Sequence, residues 1–409
     1  MSVRLLVPIL AAASGCTGTP CQLDRLDDMP TAAPGEVRHG LALAQDAGLA
    51  ATATGVACLT CGGIFYFDSA LTEQRYVAAE LDGSGELAMA GDTTLVFDRD
   101  PGGATGPAHD QLFALSAAGR ELWRDDLGTG EPWQGAVGPD LIAGPGGAVI
   151  YGETVASGFD PATGAARWMT AVQRGDALVA DAVGGLFVAS GASVLGPATP
   201  QATLRHIAVS GAADWTVTWT TTAAAPDGGG DVSFTAAAAA GDGGLVVAGW
   251  FTTATLELGD VQLSALPLHG AIDGTGFVAA IDGSGTVRWA VAAGTSDADG
   301  RIAPRRIAAQ GDAAVLCGDH AGAAQLGLPA TDATTDAFVA RIAAGGDVTA
   351  HAIAGDGDQS CEALAVAADG SATVTIHSAR GPGGSVLRVG SQSFDDGPEK
   401  TFYVLNLAP

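Results

Sequence analysis

Short apolar runs, alternating or rich in β-branched residues and ended by Gly, Asp or Pro, follow one another along almost the whole chain. Sustained helical periodicity is hard to find, so the pattern predicts strands throughout. Six times such a run meets a glycine with a large apolar residue, or its remnant, four positions later. The pairs are Gly85/Met89, Gly119/Trp123, Gly164/Trp168, Gly211/Trp215, Gly285/Trp289 and Gly346/Ala350. Four of the six end in tryptophan, in phrases such as LFALSAAGRELW and GFDPATGAARW. A phrase that recurs tens of residues apart marks stacked supersecondary units.

A second phrase alternates with the first. Gly146-Gly147 precedes AVIYGE, Gly184-Gly185 precedes LFVAS, Gly243-Gly244 precedes LVVAGWF, Gly311-Asp312 precedes AAVLCG and Asp369-Gly370 precedes SATVTI. Each reads as a tight turn that wants positive φ, followed by a strand. The order is then strand, turn, strand, loop, strand, turn, Trp-bearing strand. Four antiparallel strands repeated radially describe a β-propeller blade. The expectation is an all-β chain with a single β-propeller over residues 37–409. Its units fall near 37–85, 86–130, 137–175, 176–224, 231–294, 302–357 and 358–409. Seven four-stranded blades is the expected count, with six and eight left open by a short third unit and a long fifth. The last unit ends at FYVLNLAP with no Trp-bearing strand after it. Residues 20–27 or 37–46 are expected to complete it and hide its open edge. A parallel β-helix has shorter rungs, and a pair of sandwiches would not repeat the phrase.

Composition narrows the class of partner. Hydrophobic residues make up 47% of the 409, charged residues 15%, and Gly numbers 60, a balance that excludes disorder. Basic residues number 18 against 45 acidic ones, a net charge of −27. Such a surface repels nucleic acid and anionic lipid alike, which leaves solubility or divalent-cation binding as the use of the acidity.

The chain opens MSVRLLVPILAAASGC. Arg4 is a positive n-region, residues 5–13 an apolar stretch too short to span a bilayer, and Ala13-Ser14-Gly15 a small-residue cleavage zone, so residues 1–15 read as a signal peptide. Small residues running into Cys16 resemble a bacterial lipobox, with Ala13 where Leu is usual. The resemblance implies lipidation of Cys16 and an outer-membrane lipoprotein on the periplasmic or cell-surface face; plain secretion is the other reading. Residues 16–36, with Pro20, Pro30 and Pro34, read as a solvated tether. Export brings an oxidising compartment, where disulfides are the default. Cys317 lies in one strand-like run and Cys361 at the start of the next unit, so neighbouring strands bring them together. Cys58 and Cys61 sit in a loop-like segment, as a local bridge or with one of them joined to Cys21.

GFDPATGAARW and LFALSAAGRELW resemble the pyrroloquinoline-quinone-type propeller repeat, in which such a strand docks each blade on its neighbour. That resemblance implies a docking role for Trp123, Trp168, Trp215 and Trp289. GGLVVAGWFTTATLELG and FVAAIDGSGTVRW look like the beta-propeller repeat of bacterial cell-surface proteins. Quinoprotein dehydrogenases of the first type carry a vicinal Cys-Cys pair at the cofactor, and this sequence has none.

No catalytic phrase is laid over the repeat. The histidines (His39, His109, His206, His269, His320, His351, His377) are scattered, without a metalloprotease spacing, and no nucleophile elbow occurs. No cofactor is implied beyond calcium. Asp297 with Asp299, and Asp356 with Asp358, set alternate carboxylates beside glycine as calcium loops do, yet lack the later ligands; solvated turns are the plainer reading. Arg301, Arg305 and Arg306 lie close together. Trp133, Trp219 and Trp250 fall outside the docking register and either line a glycan- or peptide-binding face or pack between blades. The expected function is a non-catalytic binding or scaffold protein of the cell envelope, with an envelope protein or glycan as partner. The alternative is a polysaccharide lyase or glycosidase with its site at the central funnel, since carboxylates from distant blades leave no local motif.

Overall fold

The computed structural model describes residues 23–25, 37–43, 48–52, 55–60, 63–68, 73–78, 84–100, 109–128, 140–144, 146–152, 154–172, 175–195, 200–221, 229–265, 274–293, 301–322, 326, 328–329, 335–367, 369–379, 386–395 and 402–409. These residues are strands, turns and bends; none is helical. They make a β-propeller, and among the described residues every strand pairing is antiparallel, as short apolar runs joined by Gly-containing turns require.

Six blades come from successive stretches of chain. Blade one spans residues 48–78, blade two 84–128 and blade three 140–171, each of four strands. Blade four has its core strands within residues 177–221, blade five within 229–293 and blade six within 301–355, and each of these gains extra strands at its rim or centre. A further sheet joins the two ends of the chain. In it Phe402–Leu407 lies between Ala372–Ser378 on one side and Val37–Leu43 on the other. The expectation of seven equivalent units, each a blade cut from its own segment, is corrected accordingly. The segment 37–85 is divided, because Val37–Leu43 pairs with the far end of the chain and Gly48–Thr52 begins blade one. The physical reason is edge closure: Val37–Leu43 supplies the hydrogen bonds along one edge of Phe402–Leu407. Leu23–Arg25, inside the expected tether, pairs with Val37–Leu43 as the outermost strand.

The inner strands Gly48–Thr52, Ser84–Ala90, Asp140–Gly144, Ala177–Ala180, Gly229–Ala239, Arg301–Gln310 and Gln359–Val366 touch one another in sequence, and the last touches the first. The core lies in layers between neighbouring blades. Phe97, Ala114, Ile150 and Phe159 pack between blades two and three, and Phe234, Leu245 and Phe277 with Trp219 between blades four and five.

Candidate functional site

The inner strands that frame the site are irregular at matching places. Register breaks between Phe234 and Ala236 in blade five, between Pro304 and Arg306 in blade six, and between Cys361 and Ala363 in the closing sheet. A bulge leaves one residue out of the ladder and re-aims its side chain. In blade six that residue is Arg305, so two consecutive arginines are exposed on an inner strand.

Two carboxylates hold these bulges across blade seams. Asp176, at the entry to blade four, accepts through Oδ2 the N–H of Gly191 at 2.9 Å, the N–H of Phe234 at 3.3 Å and the Ser233 hydroxyl at 3.4 Å. Asp319 of blade six is 1% exposed. Its Oδ1 accepts the Cys361 N–H at 3.1 Å and its Oδ2 accepts Arg305 Nε at 2.7 Å. A buried carboxylate needs such a cation and donor, and in return it fixes the plane of the guanidinium.

Between these anchors lies a cavity of about 500 Å3 at the meeting of blades four, five and six. Asp176, Trp250, Ile302, Pro304, Arg305 and Arg306 are among the residues that line it. Trp250 is half-buried, near the end of Leu245–Phe251, and faces Gly276 and Ser233 in the neighbouring strands. Gly274 also lines the cavity, where a Cβ would run into the Phe251 backbone carbonyl and lie 3.1 Å from Trp250 Cε3. Sequence reasoning singled out Trp250 and the arginine run separately. Nothing in the sequence shows that a bulge and a blade seam bring them together.

The four repeat tryptophans form a different constellation, at the seams. Each indole N–H donates to a turn carbonyl of the following blade: Trp123 to Pro161 at 2.8 Å, Trp168 to Gly184 at 3.1 Å, Trp215 to Gly283 at 3.0 Å and Trp289 to Asp312 at 3.1 Å. Trp168 is buried, whereas the other three are half-buried. The glycine of the next phrase receives the ring. Gly164 has φ +72° and a Cβ there would lie 2.8 Å from Trp123; Gly285 has φ +88° and a Cβ there would lie 3.2 Å from Trp215. Glycine and tryptophan therefore belong to successive latches: the first receives a ring, the second delivers one.

Beside the Trp215 latch, His206 bonds Asp181 through Nε2 at 2.9 Å and Asp214 through Nδ1 at 3.2 Å, and its ring stacks on Phe187. Burial pushes the imidazole pKa down, but the two carboxylates outweigh it and the net direction is up. Burial pushes the Asp181 pKa up, and His206 with the N–H groups of Gly185 and Val183 brings it below the usual carboxylate range.

The remaining expected residues are dispersed. Cys317 and Cys361 form a disulfide with Cα atoms 6.1 Å apart, joining blade six to the closing sheet. Cys58 is not in a loop: it lies in the strand Gly55–Thr60, opposite Leu49 and Phe65, because the apolar run before it pairs on both sides. Cys16, Cys61, Trp133, Asp297 and Asp299 lie outside the described residues. Asp356 pairs with Arg388 at 2.9 Å, and Asp358 accepts the Thr335 N–H at 2.8 Å, so both staple loops. Among the described residues no three His, Cys, Asp or Glu side chains gather as a metal site. Trp219 is buried in the core between blades four and five rather than on a binding face.

The architecture and the seam pocket together define a ring-closed propeller with a cleft between blades. No family model matches the chain, and no curated protein does. Among solved structures, a eukaryotic initiation factor superposes with a TM-score of 0.45 at 10% identity, covering 96% of this chain and 98% of that one. A mutant apocarotenoid oxygenase from Synechocystis gives 0.34 at 12% identity, covering 90% and 72%. Hsv2p of Kluyveromyces lactis gives 0.33 at 11% identity, covering 72% and 92%. The propeller assignment rests on the strand pairing of this chain.

Proposed function

We propose that this protein is an exported, lipid-anchored propeller of the bacterial envelope that binds a ligand without transforming it, in the cavity between blades four, five and six. The carrying observation is the make-up of that cavity: a half-buried indole, an apolar floor of Ile302 and Pro304, and two exposed arginines, one of them held by a buried carboxylate. Concave, largely apolar clefts with a few placed polar groups are how proteins hold small ligands. The described lining contains one carboxylate, Asp176, and its Oδ2 already serves backbone N–H groups. Glycoside hydrolysis uses two, so the cavity supports binding better than hydrolysis. The anchor is the part of the reading carried by Cys16 and the small residues before it.

Two measurements test this. In a bacterial host the full chain should fractionate with membranes and take up labelled fatty acid, and Cys16→Ser should abolish both; a Cys16→Ser chain that stays acylated and membrane-bound would end the anchor reading. On an array of envelope glycans and peptides, the Trp250→Ala variant should lose at least about tenfold in affinity, a difference of about 1.4 kcal/mol. Undiminished binding by that variant would place the ligand elsewhere.

A further inference from the structure

We propose that the ligand of this cavity is an acidic sugar unit, a uronate-type ring stacked on Trp250 with its carboxylate on the arginine pair. This rests on the binding reading above and specifies its chemistry. Arg305 donates Nε to Asp319, and this single bond leaves its two terminal nitrogens, without partners among the described residues, for an end-on carboxylate. Arg306 donates through Nη1 to the Arg305 carbonyl at 2.9 Å, which fixes a second guanidinium among the residues that line the cavity. Both arginines are exposed, and across the bulge both line the one cavity.

The one carboxylate of the described lining gives the ligand its direction. Asp176 repels a carboxylate but accepts hydroxyl donors, so the acid end of the ligand belongs at the arginines and the hydroxyls at Asp176. Trp250, half-buried in the lining, supplies the apolar face that a sugar ring covers. A cavity of about 500 Å3 holds one or two rings rather than a folded partner. The net charge of −27 makes a densely charged polyanion a poor ligand, whereas one carboxylate per ring suits two arginines.

The test uses the full chain and calorimetry with uronate disaccharides, the matching neutral disaccharides and a short acidic peptide. Uronates should bind, neutral sugars should bind at least about tenfold more weakly, and Arg306→Gln should remove most of that preference, as loss of a charged hydrogen bond implies. Arg306→Gln is chosen because it leaves the Arg305–Asp319 pair intact, and an unchanged melting temperature certifies its fold. Equal affinity for neutral and acidic sugars, both sensitive to Trp250→Ala, would overturn the acidic specificity and leave the cavity as the site. Binding of the peptide in preference to the uronates would overturn the sugar assignment. Uronate binding that neither variant changes would overturn the cavity as well.

Discussion

At the scale of single residues, the molecule is organised by polar atoms that reach from one blade to the next. The indole N–H groups of the repeat tryptophans each find a carbonyl across a seam, and Asp176 and Asp319 each find a backbone N–H there. Within blade four, His206 makes its cluster with Asp181 and Asp214 sensitive to pH. Its folded pKa is raised, so its contribution is fully present below the ordinary imidazole value of about 6.5 and is lost as pH rises through the raised value. Asp181 has a lowered folded pKa, so its contribution is present above the ordinary carboxylate value of about 3.9 and is lost as pH falls through the lowered one. Together they favour the folded state most between about pH 4 and pH 6.5. Urea midpoints of the native chain and of His206→Gln should therefore differ most in that window and converge toward high pH. A constant difference across the range would remove His206 from this role.

At the scale of elements, blades are joined in both directions. The Trp-bearing outer strands reach forward, while hairpins between second and third strands reach back. Thr255–Leu258 and Val261–Ser264 of blade five extend the outer edge of blade four, and Val386–Val389 and Gln392–Asp395 extend blade six. Covering an outer strand removes an open edge, and each such hairpin turns on a positive-φ glycine, Gly259 or Gly390. The disulfide acts at the last seam. It closes a loop of 44 residues, for which chain entropy gives about 4 kcal/mol of stabilisation. The Cys317→Ala/Cys361→Ala double variant should accordingly unfold at a lower urea midpoint than the oxidised protein. Identical midpoints would show that the seam is held without it.

At the scale of the whole molecule, the two ends of the chain meet in one sheet. Val37–Leu43 covers Phe402–Leu407, and Arg38 pairs with Asp369 at 3.2 Å on that sheet. Removing residues 1–47 should uncover the Phe402–Leu407 edge, and the shortened chain is expected to self-associate or to lose its cooperative transition in size-exclusion and thermal unfolding experiments. A truncated chain that stays monomeric with an unchanged melting temperature would mean the strand is dispensable for closure.

The sequence by itself determined what is local and repeated. Strand periodicity, the Gly-Gly and Asp-Gly turns and the Gly-x-x-x-Trp phrase specify blades and their latches, because a turn needing positive φ and a ring needing a seam write themselves into a few adjacent residues. The Cys317–Cys361 pairing was legible for the same reason, since the two cysteines stand one repeat apart. What only the tertiary structure decided is non-local. The division of residues 37–85 between closing sheet and first blade depends on which strand edge is left open 360 residues later, and no nearby residue reports that. The cavity likewise depends on two bulges, and a bulge is a mismatch between two strands rather than a property of either sequence. Trp250 and Arg305 stand apart along the chain; the bulge and the seam between blades five and six set them in one cleft.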